Sequence, residues 1–258
     1  MKINPRVLVL VFSILIFACN ARAATSNFTK AGKIPIEPAQ KFLRVGEKLT
    51  YGVYWMGACV GEGTLHVKEI VKIDGRDASA KTNDFMSAIY KIDDTIHSFI
   101  DVKDLCSLRF EKYQREGRYK ADEVVVFDQK NHKGYYESLT NKTKKEFTIP
   151  DRVQDLTSVF YYFRTLDVKP NTALILDVNA DEKNWKATMN VLDTEALEIL
   201  RQGVHNVFCL VPKVGFKGVI SKRGKVWIYV STDAQRVPVL IKIRIPFGFV
   251  VGVLEKTE

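Results

Sequence analysis

Residues 51–67 read YGVYWMGACVGEGTLHV, and the role of their glycines decides what kind of protein this is. A phosphate-binding loop sends its glycines straight into a helix, whose first amides hold the anion. Here Gly63 leads instead into Leu65 and Val67, which alternate with Thr64, His66 and Lys68, and no Gly-Lys-Ser/Thr follows. On the other side Leu49, Tyr51, Val53 and Trp55 alternate with Lys48, Thr50, Gly52 and Tyr54. A period of two on both sides, joined through glycines, predicts an antiparallel hairpin. Gly57, Gly61 and Gly63 are accordingly assigned to a bulged, sharply twisted turn. Cys59 has no Lys, Arg or His beside it in sequence to lower its pKa, so it reads as a turn thiol without a catalytic role.

Outward from this hairpin the pattern is strand after strand. DGRDA (74–78) is a turn, SAKT a short strand, and DFMSAIYKI (84–92) reads as a helical turn beside the sheet. TIHSFIDV, SLRFEKYQ, DEVVVFDQ and KGYYESL follow as strands, and NKTKKEF as a polar turn entering another. The C-terminal part supplies TALILDV, WKATMNVL, ALEILRQ, VHNVFCLVP, GKVWIYV, VPVLIKIRI and GFVVGVL. In VPVLIKIRI the residues Val237, Val239, Ile241, Ile243 and Ile245 oppose Lys242 and Arg244. Short strands at regular spacing predict a barrel, half-barrel or sandwich.

One element has a helical period. Val153, Leu156, Val159, Phe160, Phe163 and Leu166 fall at spacings of three and four and form one apolar face over 152–166. Asp151 with Gln154 resembles a capping box, Pro150 stops the preceding strand, and Lys169-Pro170-Asn171 ends the helix. The fold class that follows is mainly β: a strongly curved antiparallel sheet, half-barrel or barrel, wrapping one central amphipathic helix. The helix stripe should bury Leu156, Val159, Phe160 and Phe163 against a face presenting Tyr51, Val53, Trp55 and the odd-numbered residues of 239–245.

The N-terminus speaks to compartment. Lys2 and Arg6 precede the apolar run 7–18, and Ala21-Arg22-Ala23 gives the small-x-small site for cleavage before Ala24. The expected division is a signal peptide over 1–23, a flexible leader over 24–43 and a single β-rich domain over 44–256. The rival is a lipid anchor at Cys19, which Phe17 disfavours because lipoprotein signals want a small residue there. No later segment has the run of about 20 apolar residues that a membrane span needs. The 258-residue chain carries a formal charge of +9, and without residues 1–23 the balance is 36 basic against 30 acidic, interspersed rather than blocked. A solvated surface accounts for that charge, and nucleic acid is excluded as a partner of an exported protein. Cys59, Cys106 and Cys209 are odd in number and form no CxxC, which leaves room for one bridge that sequence cannot assign. His66, His97, His132 and His205 show no metal-ligand spacing, so no metal or cofactor is expected.

Three stretches resemble a family of exported bacterial proteins, domain of unknown function 3108, over residues 42–254. VGEKLTYGVYWMGACVGEGTLHV (45–67) is similar to its opening hairpin, of the type G-E-x-L-x-Y followed by a glycine corner and G-x-x-x-L. QDLTSVFYYFRTLDV (154–168) is similar to its central helix, with D-x-x-S and paired aromatics ending in Arg. GKVWIYVSTDAQRVPVLIKIRIPFGFVVGVL (224–254) is similar to its closing run, with an S-x-D-x-x-R-x-P-V core. The resemblance implies an envelope location and a β-rich domain, and carries no implication about activity, since none is established for the family. Its fold is similar in style to lipoprotein carriers, where a curved sheet wraps a helix and an apolar hollow.

No catalytic constellation stands out. Asp233, Arg236 and Pro238 read as a tight turn in which Arg236 pairs with Asp233. Asp155 and Ser158 share a helix face, but a hydrolase also needs a histidine in reach, from His97 or His205. G-x-S-x-G and H-E-x-x-H are absent. Lys186, Lys242 and Arg244 fall on solvated strand faces. The aromatics Tyr51, Trp55, Phe160, Phe163, Trp227, Phe247 and Phe249 are the candidate lining of an apolar ligand site, against the alternative of a filled core. The function this predicts is a non-enzymatic periplasmic carrier for a lipid or acyl chain. The alternative is an envelope assembly factor binding a protein partner, with a hydrolytic enzyme third.

Overall fold

The computed structural model describes residues 29–30, 42–87, 92–180, 182–199, 202–213 and 226–258. The expected signal peptide, Cys19 and most of the leader lie outside them. The strands are β1 (Thr29–Lys30), β2 (Lys48–Trp55), β3 (Ala58–Ile73), β4 (Arg76–Ser87), β5 (Ile92–Asp101), β6 (Ser107–Glu116), β7 (Tyr119–Asp128), β8 (Lys133–Ser138) and β9 (Thr143–Thr148). Helix α1 (Ser158–Arg164) follows, then β10 (Thr172–Ala180), β11 (Lys183–Ile199), β12 (Gly203–Lys213), β13 (Val226–Ser231), β14 (Pro238–Ile245) and β15 (Gly248–Thr257).

All the described strands belong to one sheet, in the order β1-β10-β11-β12-β13-β14-β15-β2-β3-β4-β5-β6-β7-β8-β9. β2 to β15 pair antiparallel with each neighbour, β1 joins β10 in parallel, and the sheet is not closed. The chain's two halves are joined in the middle, where β15 pairs with β2, setting Gly252 opposite Val53. Nearly every other connection is a hairpin between sequence neighbours, which short polar turns allow.

The opening hairpin forms with a tighter turn than expected. Met56 (φ 50°) and Gly57 (φ 83°) alone reverse the chain, both at the positive φ that a two-residue hairpin turn demands. Gly61 and Gly63 lie inside β3, opposite Val53 and Tyr51, and the bulge falls at Val60 between the Val53–Gly61 and Tyr54–Cys59 pairs. The segment 84–87 completes β4, with Ser87 opposite Ile92, so the helical turn expected over 84–92 gives way to strand there; 88–91 are not described. The stretches read as separate strands at WKATMNVL and ALEILRQ are one strand, β11, carrying a bulge between Val191 and Thr194.

The helix is shorter than its periodicity suggests. Residues 152–157 are not helical because they pair with the sheet instead: Ser107 N–H donates to Val153 O (3.1 Å), Gln154 N–H to Asp177 O (2.9 Å), and Asn179 N–H to Gln154 O (2.7 Å). Arg152 has a φ of 54°, which an α-helix cannot hold. Capping passes from the expected Asp151 and Gln154 to Asp155. Its Oδ1 accepts the N–H of Thr157 and of Ser158 (2.7 Å each), and Ser158 Oγ accepts the Asp155 N–H in return (2.8 Å).

The seven residues of α1 are buried on several sides. Phe160 and Tyr161 share a cluster with Leu49, Tyr51, Leu65, Ile100, Val239 and Leu254. Phe163 joins Val53, Val226, Ile228, Ile241 and Ile243, and Val159 joins Leu176, Val178 and Ala187. The stripe therefore meets strands from both halves of the sheet, including the expected odd-numbered side of β14. A further cluster of Ile96, Phe110, Val125, Phe127, Ile149 and Val153 fills the β5–β7 end.

Candidate functional site

The turn before β2, the end of α1 and the turn before β14 meet in the interior. Arg164, with a fully buried side chain, donates from Nη1 to Glu47 Oε2 (2.7 Å) and from Nη2 to Glu47 Oε1 (2.8 Å). Its Nε donates to Gln235 O (2.9 Å), and the rings of Phe42 and Tyr161 stand 5.4 and 5.7 Å from the guanidinium. The fork of the guanidinium matches a carboxylate, which makes this pair directional as well as charged. The expected Arg236–Asp233 pair is replaced by a different arrangement. Arg236 Nη1 donates to Arg164 O (3.1 Å) and to Leu166 O, taking the carbonyls that the end of the helix leaves open. Asp233 Oδ1 accepts the N–H of Gln235 (2.7 Å) and of Arg236 (3.2 Å), as an aspartate does in a turn of its own making. Beside it Tyr51 O–H donates to Pro238 O (2.9 Å).

Lys81 lies deeper, on β4, and is 1% exposed. Its Nζ donates to Ser79 Oγ (2.9 Å) and sits 4.0 Å from the centre of the Tyr161 ring. Burial pushes the ammonium down to about 7; Glu47 and Asp155 pull it back up, and Arg164 adds to the lowering. Burial also drives the hydroxyls of Tyr51 and Tyr161 well above the usual tyrosine range. The Tyr161 hydroxyl has no hydrogen-bond partner among the described residues. Asp155 accepts from Ser98 Oγ (2.7 Å) and Ser107 Oγ; burial raises its carboxyl while those bonds oppose the rise. Asp155 and Ser158 thus work as a reciprocal cap. His97 bonds instead with Thr82 Oγ1 (3.2 Å), and His205 Nε2 is buried without a partner among the described residues. No group of three His, Cys, Asp or Glu side chains among those residues is placed to hold a metal ion.

The seven aromatics expected around a ligand divide between two faces. Tyr51, Phe160 and Phe163 are buried in the clusters around α1, with Trp55 packed at the margin. Val226, Ile228 and Val250 occupy the core, so alternation turns Trp227 and Phe249 to the opposite face, where their rings are 6.2 Å apart. Phe247 stands in the β14–β15 turn, 54% exposed. Cys59, Cys106 and Cys209 are all free thiols.

A concavity of about 540 Å³ opens on β6–β9, lined by Tyr113, Val124, Val126, Tyr135 and Leu139 with Arg109 and Lys144 among its charged residues. Phe110, Val125 and Phe127 point the other way, into the core. Its charges are matched locally, Arg109 with Glu111 (2.6 Å) and Lys144 with Glu137 (3.2 Å), leaving the valines, tyrosines and leucine as the apolar wall. The signal in the sequence is the run Val124-Val125-Val126, which makes β7 apolar on both faces where alternation would make one face polar.

The chain belongs to the family described as protein of unknown function (DUF3108), whose model matches residues 50–255. A search of curated proteins gives no match. Among solved structures it is similar to a β-barrel-like protein of domain of unknown function DUF1849 from Brucella abortus, at 10% identity over 83% of this chain and 97% of that one, with a TM-score of 0.54. It is also matched by a candidate lipoprotein from Parabacteroides distasonis, at 11% identity over 84% of this chain and 96% of that one, with a TM-score of 0.39. At these identities the likeness to the Brucella protein is one of β-barrel-like fold. No helix among the described residues is long and apolar enough to cross a membrane.

Proposed function

We propose that the protein is an exported, non-enzymatic carrier that holds an apolar ligand, a lipid or acyl chain, in the concavity of β6–β9. The observation that carries this reading is the cavity of about 540 Å³ walled by Tyr113, Val124, Val126, Tyr135 and Leu139. It falls within the range of about 300 to 1,000 Å³ in which small-molecule sites lie, and six aromatic or apolar side chains wall it beside five charged ones. Leu139 and Tyr135 are 47% and 41% exposed, and an apolar occupant would take them out of water. None of the seven aromatics expected from sequence lines this concavity; in this reading Tyr113, Tyr135 and Tyr136 take that role, while Tyr51, Phe160 and Phe163 serve as the packing beneath a sheet curved round α1. Export is supported by the expected signal peptide at 1–23, with cleavage after Ala23 and a lipid anchor at Cys19 as the alternative.

The test is binding of a fluorescent fatty-acid probe to the purified mature protein. Saturable binding is expected, weakened at least about tenfold by Val126→Glu, which sets a charge in the apolar wall. Probe binding unchanged in Val126→Glu, or absent from the unaltered protein, overturns the reading.

A further inference from the structure

We propose that the end of the sheet carrying the β2–β3 and β14–β15 turns docks on the surface of an anionic lipid bilayer. The two turns are neighbours: β15 pairs with β2, setting Val250 opposite Trp55, and Trp55 Nε1 donates to Phe247 O (3.2 Å), tying one turn to the other. At their tips Met56 is 79% exposed and Phe247 54%, with Phe249 38% exposed just behind. Turn chemistry does not call for these residues. Met56 takes a φ of 50°, a position where Asn, Asp or Gly costs less, so a long apolar side chain sits there against the local preference. Two apolar side chains held out on adjacent turns, with Phe249 behind them at the start of β15, are costly in water and well shaped to enter the headgroup layer of a membrane.

Charge identifies the partner. Lys242 Nζ lies 4.3 Å from the centre of the Phe249 ring, and Arg244 is opposite Phe249 in the register of β14 and β15. Neither cation forms an ion pair among the described residues, whereas the strand lysines Lys72, Lys133 and Lys186 do. Apolar tips with unneutralised cations a few residues behind are the arrangement by which peripheral proteins hold anionic lipid: the tips enter the interface and the cations meet the phosphates. The concavity of β6–β9 lies on other strands, so this docking stands independently of ligand binding there.

The experiment is co-sedimentation of the purified mature protein with vesicles of pure phosphatidylcholine or of phosphatidylcholine with phosphatidylglycerol. Binding to the anionic vesicles is expected, weakening as salt rises, with little binding to the neutral ones. The double variant Met56→Ser, Phe247→Ser should bind at least about tenfold more weakly, and Lys242→Glu with Arg244→Glu should abolish the preference for phosphatidylglycerol. Met56, Phe247 and Arg244 are exposed and Lys242 is half-buried, and an unchanged melting temperature would establish that each variant is folded; single substitutions serve if a double variant is not. Failure of the unaltered protein to bind anionic vesicles overturns the proposal. So does equal binding by the Met56→Ser, Phe247→Ser variant, or light scattering that finds a dimer which the same variant no longer forms.

Discussion

Arg164 and Glu47, 117 residues apart in the chain, form a two-pronged ion pair sealed from solvent, with side-chain exposures of 0% and 5%. The pair ties the end of the helix to the turn that leads into β2. Taking both charges from water is costly, so its weight shows when one partner is removed and the other is left buried alone. Arg164→Met or Glu47→Gln should each cost about 3 to 5 kcal/mol. The two together should cost clearly less than the sum, because an uncompensated charge then no longer remains. Urea unfolding of the four proteins measures this; additive losses would mean that the pair is not coupled.

Lys81 should make stability rise with pH. Its folded value near 7 lies below the ordinary 10.5, so between those limits the unfolded chain binds a proton at Lys81 that the folded chain does not. Stability therefore increases from about pH 7 towards pH 10, by at most about 1.4 kcal/mol per unit, and the contribution is flat below 7 where both states are protonated. Above about pH 10 the trend reverses: Tyr51 and Tyr161, raised by burial, ionise first in the unfolded chain. Melting temperatures at pH 7 and pH 9.5 should differ in the unaltered protein and converge in Lys81→Met. A flat profile in the unaltered protein would mean that Lys81 keeps its charge when buried.

The three thiols should react in sharply different ways. Cys59 is exposed and free, whereas Cys106 and Cys209 are buried and burial pushes their thiols up to about 12 and about 11. Only a thiolate attacks a disulfide reagent, so both burial and a raised pKa slow the inner pair. Titration with an aromatic disulfide at pH 8 should release one equivalent quickly from the folded mature protein and the remainder on unfolding. Rapid release of more than one would place Cys106 or Cys209 nearer the surface.

How much of this was open to reading depends on the distance over which each feature is encoded. The β2–β3 hairpin and the inner face of β14 are legible because alternation at Leu49, Tyr51, Val53 and at Val239, Ile241, Ile243 is local. The helix is half legible. Val159, Phe160 and Phe163 sit where a 3.6-residue period puts them, but Val153 and Leu156 fit the same period while flanking the backbone bridge of Gln154 to β10. Spacing cannot tell an apolar helix position from a residue buried by a long-range bridge. The Glu47–Arg164 pair and the placement of Arg236 on the helix end arise from contacts between distant parts of the chain, for which a single sequence carries no register; the two-faced wall of β7 has a local signal in Val124-Val125-Val126, which a search for alternation passes over. The split of the seven aromatics has the same origin, since their facing follows from strand phase beyond Trp227.

The sharpest check on which aromatics are inside is to make one change at two phenylalanines. Phe160 is 7% exposed, shares its cluster with Leu49, Tyr51, Leu65, Val67 and Leu254, and meets the Tyr161 ring edge-on at 5.1 Å. Truncating it removes that burial and leaves a void in a close-packed interior, because helix and strands cannot all move in to fill it. Phe160→Ala should therefore cost about 3 to 5 kcal/mol. Phe247, on its turn, loses little on truncation, and Phe247→Ala should leave stability within about 0.5 kcal/mol. Chemical denaturation of the two variants against the unaltered protein gives both numbers in one series. A loss under about 1 kcal/mol at Phe160 would make α1 peripheral to the sheet, and the packing around Tyr51 and Val53 would have to be sustained without it.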